Sequence, residues 1–381
     1  MTIETGLSRR SLIAAGGSSA LLLACGLPRM AVAKAPTDAR FLFVIQRGAA
    51  DGLAIASPIG DPAYAPLRGA LAAASAGGTK LDGFFALHPE LKAAGAMIAA
   101  REGQVVHAVG TAYHDRSHFD GQNVLESGGA RPYGEDTGWI NRLLALLPER
   151  SAEAMAIAPA IPLALRGPKA VANYSPNVLP AASEDLMMRV SGLYEQDPAL
   201  AGDWTKALQT RSLAGDIGGN NGANGAALGE IAANLLAPAD GARVMMVETG
   251  GWDTHGQQPG KLAAQLRGLD AMLGAAKTGL GAVWKSTLVL VATEFGRTAA
   301  VNGTMGTDHG TGGAALWFGG SLAADRPVVA DWPGLAKAQL FEGRDLKITT
   351  RFEPMVSSRL AAHYGLEEAR VRKALFPAYA A

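Results

Sequence analysis

Residues 287–320, TLVLVATEFGRTAAVNGTMGTDHGTGGAALWFGG, decide how the chain is read. The run from Leu288 to Ala292 is short, apolar and β-branched, so it predicts a buried strand. It stops at Thr293-Glu294-Phe295-Gly296-Arg297. A Gly-rich loop carrying Asp308-His309-Gly310 follows, and Ala314 to Phe318 form a second apolar run. A carboxylate therefore stands at the end of a buried strand, and an Asp-His pair lies in a loop that can fold back over it. Open α/β sheets bind ligands beyond the carboxyl ends of their strands. The alternative is two strands joined by a polar loop with no site.

The same arrangement recurs along the chain. Residues 41–46, FLFVIQ, predict the first strand, and Asp51 follows between small residues, as a metal or substrate contact or as a cap. Residues 105–109 predict a strand whose exit reads Tyr113-His114-Asp115-Arg116-Ser117-His118. Helical spacing then runs from Ser117 to Glu126, which puts Ser117 at a helix N-terminus. It is there either as an N-cap or as a nucleophile favoured by the helix dipole. Residues 242–248 predict a strand ending in GGWDTHGQ. There Asp253 and His255, two apart, face one way in an extended loop, toward one ion or into turn bonds. A helix over 262–276, apolar at Leu262, Leu266, Leu269, Met272 and Leu273, crosses to the opening strand. Further helices are expected from His88-Pro89 to about 100, over 136–147, from 184 toward 213, over 226–236 and over 353–364, and residues 367–376 close the fold.

Charge and composition exclude some classes. The 381 residues carry 34 basic and 34 acidic side chains, a formal charge of zero, which argues against a nucleic-acid binder. Hydrophobic residues make up 48% and charged residues 18%, as in a globular chain. No dinucleotide or P-loop glycine pattern follows any strand. Residues 1–33 read as a twin-arginine signal: Ser8-Arg9-Arg10-Ser11-Leu12-Ile13, an apolar run too short to span a bilayer, then Ala31-Val32-Ala33. Leu22-Leu23-Ala24-Cys25 offers a lipoprotein route as the alternative. Cys25 is the single cysteine, so the mature chain 34–381, expected as one domain, has no disulfide. The low-complexity stretch 215–225 is a surface insertion or a mobile lid. His88 and His363 read as packing residues.

Asp51, the His114–His118 cluster, Asp253-His255 and Glu294 with Asp308-His309 thus gather at one sheet edge. Mixed carboxylates and imidazoles suit Zn or Mn, and carboxylates alone suit Mg or Ca. GGWDTHGQ, TEFGRT, GTDHG and RGAADGL together resemble the domain of unknown function 1501 family, of the alkaline-phosphatase-like, sulfatase-related superfamily. The resemblance implies a three-layer α/β/α fold with a mostly parallel sheet, and a metal-dependent hydrolase of phosphate or sulfate esters. It implies metal ligands among Asp51, Asp253, His255, Glu294, Asp308 and His309. It puts Ser117 or His118 at the nucleophile position, with His114 nearby and Arg297 or Arg116 stabilising charge. Two departures stand out: Gln257 replaces a histidine, and Phe295 replaces one imidazole ligand. One metal is therefore expected in place of two. The second expectation is a non-catalytic exported binding or assembly protein with a degenerate site. Its partner would come from the domain of unknown function 1800 family, and export would use the twin-arginine translocase.

Overall fold

The computed structural model describes residues 38–149, 153–175 and 225–379 and parts of 184–210. The leader, with Arg9, Arg10 and Cys25, and residues 215–224 lie outside the described residues. The strands in chain order are β1 Arg40–Gln46, β2 Ala56–Ser57, β3 Thr79–Lys80, β4 Ala86–Leu87, β5 Gly103–Gly110, β6 Ala154–Ile157, β7 Ala172–Tyr174, β8 Val244–Thr249, β9 Thr287–Ala292, β10 Gly313–Phe318, β11 Val328–Val329 and β12 Thr350–Arg351. Strands β2, β3 and β4 form a small separate sheet; the others form the central sheet, ordered β11-β5-β10-β9-β1-β8-β6-β7 with β12 also on β5.

The central sheet is mostly parallel because its strands are joined by helical crossovers. β1 is parallel to β8 on one side and β9 on the other, while β10 is antiparallel to both β9 and β5. β10 can reverse because the loop 293–312 returns the chain to the same edge. So β1, β5, β8 and β9 end, and β10 begins, at one edge.

Every residue of β1 is buried, and its side chains alternate between two cores. Leu42 and Val44 enter one core with the helices Lys92–Ala99, Gly225–Leu236 and Gln258–Leu280. Phe41, Phe43 and Ile45 enter the other, with Trp139–Leu144, Phe352–Tyr364 and Glu368–Leu375. Helices therefore cover both faces. The Gln258–Leu280 helix buries Leu262, Leu266, Leu269, Met272 and Leu273, the stripe expected from the sequence, and each contributes about 2 kcal/mol of apolar transfer. It meets the Gly225–Leu236 helix closely: a Cβ on Gly229 would lie 2.2 Å from the Met272 carbonyl oxygen.

Several boundaries differ from the sequence expectation. The first helix after His88 begins at Lys92, because His88 and Leu91 close a turn by a backbone bond of 3.0 Å. The helix expected over 136–147 is shorter, Trp139–Leu144; Gly138, bonded to the Arg166 carbonyl, precedes it in extended conformation. Strand β7 and the β2–β4 sheet are too short to show a period of two. No described helix is long and apolar enough to cross a membrane.

Candidate metal centre

Three imidazoles converge on one carboxylate at the sheet edge. The ligand atoms of His118, Asp253 and His309 lie within 4.8 Å of one another. Asp253 follows β8. Its Oδ1 is 3.2 Å from His309 Nε2 and 3.0 Å from His255 Nε2, and its Oδ2 is 3.4 Å from His118 Nε2. The Nε2 atoms of His255 and His309 are themselves 2.9 Å apart.

The outward nitrogens fix how these rings are protonated. His118 Nδ1 donates to Glu294 Oε1 at 2.8 Å, and His255 Nδ1 to Asp308 Oδ1 at 3.0 Å. His309 Nδ1 donates to the Arg116 carbonyl at 2.9 Å. Each ring has its Nδ1–H committed to an acceptor, so each neutral ring turns an Nε2 lone pair inward. Lone pairs facing one another beside a carboxylate repel unless a cation or protons lie between them. His118 Nε2 is also buried without a hydrogen-bond partner. The donor set, imidazole nitrogen with carboxylate oxygen, is one that Zn accepts. The residues present therefore fit a metal ion.

Each ligand is positioned by its own element. His118 opens the helix His118–Ser127, whose Gly128 at φ 67 closes it. Gln122, one turn later on the same face, donates to Glu294 Oε1 at 3.0 Å, so His118 and Gln122 grip one carboxylate. Glu294 is 1% exposed and also accepts the Gly48 N–H at 2.8 Å and the Thr293 hydroxyl at 2.9 Å. Burial acts to raise its pKa, but the bonds from His118 and Gln122 win and hold it below the usual carboxylate range. The bond from Glu294 raises His118 above the ordinary imidazole value against burial. His309 is lowered, by burial first and then by His118. Of these two rings, His118 therefore takes up a proton more readily than His309. Phe295 stacks under His118 with centroids 5.1 Å apart and forms an apolar floor where the resemblance implied a second ligand.

Other candidates from the sequence occupy different surroundings. Asp51 is buried and ion-paired with the buried Arg68; Gln258 Nε2 donates to it at 2.5 Å and the Leu53 N–H at 3.1 Å. Both its oxygens are engaged, and none of these partners is one of the three histidines. Arg297 is fully buried. It donates to the carbonyls of Ala49 at 2.7 Å, Thr307 at 3.0 Å, Gly48 at 3.1 Å and Trp252 at 3.1 Å, and to Asp253 Oδ1 at 2.6 Å. It fastens loops and Asp253, and presents nothing to a substrate. Arg297 also holds Asp253 below its usual pKa, although burial acts the other way. Gly48, at φ +117, lets the backbone pass where a Cβ would lie 2.6 Å from the Asp253 nitrogen. Arg116 pairs with Asp345 at 2.8 Å and with Glu342. His114 stacks on Phe341, centroids 5.1 Å apart, and burial lowers its pKa. Ser117 is half-buried at the helix N-cap; its N–H donates to the Tyr113 hydroxyl at 3.0 Å and its own side chain makes no capping bond. Asp308 lies outside the convergence, held by Asn302 and His255, which lower its pKa.

The sequence resemblance offered His118 as an alternative to Ser117 at the nucleophile position, whereas its Nε2 lies with Asp253 and His309 Nε2 in one potential ligand group. It gave no role to Gln122 or Arg47. Arg47 bonds Gln122 at 2.8 Å and Glu126 at 2.7 Å, extending the chain behind Glu294. The spacing of His118 and Gln122, one helical turn, was the available signal.

No curated protein matches the sequence. Among solved structures, the C-terminal periplasmic domain of EcEptC from Escherichia coli in complex with Zn is similar, with a TM-score of 0.38, 8% identity and 75% of each chain covered. Residues 48–375 match the family model described as Protein of unknown function (DUF1501), and the chain belongs to that family.

Proposed function

We propose that this protein is an exported, metal-dependent hydrolase of phosphate or sulfate esters, working with one divalent metal of the Zn or Mn type. The observation that carries the reading is the convergence of three Nε2 atoms on Asp253, each ring held from behind by its own acceptor. His118, His309 and Asp253 would hold the ion, with His255 beside them. A bound divalent metal polarises an ester oxygen and makes water more acidic.

The chain's own residues prepare that chemistry. Glu294, Asp308 and the Arg116 carbonyl orient the imidazoles, and Arg297 fixes Asp253. Phe295 keeps water from the floor. Ser117, next to His118 in the chain, would be the attacking protein hydroxyl, with water as the alternative. In the net reaction water's oxygen bonds to phosphorus or sulfur and the bond to the ester oxygen breaks. One water proton leaves on the alcohol and the other stays with the inorganic product.

The protein purified after export should contain about one divalent ion per chain, by elemental analysis, as one set of three protein ligands with an open position requires. It should turn over aryl phosphates, phosphodiesters or aryl sulfates, and His309→Ala should lose both metal and turnover. No metal together with no turnover would overturn the reading. A second reading, an exported binding or assembly protein with a structural ion, draws on Arg297 and Arg116, whose guanidinium groups are already engaged. Stoichiometric metal without turnover on the whole panel would favour it.

A further inference from the structure

Two large aromatic side chains stand in water on or against the helix that opens with His118. Phe119 is 82% exposed and Tyr133 69%. Phe119 directly follows His118 in the first turn of the helix. Tyr133 is docked on the same helix: its N–H donates to Asn123 Oδ1 at 2.7 Å. Asn123 lies four residues after Phe119, so both are on one helix face. On the His255 side Met305 is also exposed, in the loop whose Thr304 hydroxyl bonds the His255 carbonyl at 2.6 Å.

A single exposed ring is ordinary on a protein surface. Here two rings are held along one helix that begins with a candidate ligand. Tyr133 is kept at φ 56, a conformation that bulky side chains rarely adopt. Neither ring is used by a core cluster. Asp120, which follows Phe119 in the first turn of the same helix, makes a second anionic group unwelcome, so the surface suits a flat, uncharged ring.

We infer that Phe119 and Tyr133 form a platform for the aryl portion of the substrate, so that the preferred class is a monoanionic or dianionic aryl ester with its charged head at the metal. This rests on the reading of His118, Asp253 and His309 as a metal centre. The test is calorimetric titration of the zinc-loaded protein with phenylphosphonate and methylphosphonate. Phenylphosphonate should bind about tenfold more tightly, the scale of one aromatic contact. Phe119→Ala and Tyr133→Ala, both surface changes, should each remove most of that preference and leave methylphosphonate affinity unchanged. Equal affinity for the two probes, no binding of either, or a preference that survives both substitutions overturns the inference. A phenyl preference lost in Phe119→Ala, with no ester turned over, supports the platform while the hydrolase reading fails. Turnover of esters with no aryl preference in binding does the reverse.

Discussion

Glu294 shows how a residue can be found in a sequence while its partners stay hidden. Its place after β9 marked it as part of a site, yet its carboxylate is spent on His118, Gln122, Gly48 and Thr293. Residue order does not reveal which way a carboxylate faces, because that depends on partners far along the chain. Asp51 makes the point more strongly: Arg68 and Gln258 claim it, and neither stands near it in sequence. Two outcomes follow at this scale. Glu294→Gln should weaken zinc binding roughly 10- to 100-fold, as loss of a carboxylate behind a ligating imidazole does; competition against a chelator of known affinity measures it, and unchanged affinity would remove Glu294 from that role. Asp51→Ala should strand the buried Arg68 charge and cost about 3–5 kcal/mol in denaturant unfolding, with metal stoichiometry unchanged. Loss of metal from a still-folded Asp51→Ala protein would return Asp51 to the site.

Elements were more legible than side-chain directions. Apolar runs announced β1, β5, β8 and β9, and the period of 3.6 announced the Gln258–Leu280 helix. Short elements were not legible, since two or three residues carry no period. Strand β5 also buries a histidine that no pattern flagged. His107 Nε2 donates to the carbonyls of Gly52 at 3.2 Å and Ala56 at 3.0 Å, and Nδ1 accepts the Ala108 N–H at 2.8 Å. A second proton on Nδ1 would meet that N–H. Burial lowers its pKa to about 4, with the two carbonyl bonds opposing. The folded value is thus below the unfolded one near 6.5. Between those values the unfolded chain binds a proton the native chain refuses, so the contribution is complete above pH 6.5 and is lost as pH falls toward 4. About 2 kcal/mol should be lost by pH 5. Urea unfolding at pH 7 and pH 5 measures this, and His107→Gln should show a distinctly shallower loss. Equal losses in both proteins would refute the assignment.

At the scale of the molecule, the convergence of polar loops at one sheet edge was readable, because parallel strands leave their carboxyl ends together. What was not readable was the reversal of β10 and with it the path that brings His309 to His118 from the far side of a 20-residue return. The sheet holds both sides of the site in place whether or not an ion is present. Chelation should therefore leave the far-ultraviolet dichroism unchanged, while zinc at a hundredfold excess over its Kd raises stability by about 2.7 kcal/mol through mass action. Collapse of the dichroism on chelation would show that the ion organises the fold.

The reach of Arg297 has a consequence for time. One rigid, permanently charged fork holds the carbonyls of Gly48, Ala49, Trp252 and Thr307 and the carboxylate of Asp253, gathering three separate loops before any ion arrives. Ion capture should then be a single second-order event whose rate climbs in proportion to zinc concentration, with no plateau set by loop closure. In Arg297→Lys, which keeps the charge and loses the fork, the loops must be collected anew on each encounter. Stopped-flow traces should there become biphasic, with a slow phase that zinc concentration no longer hastens.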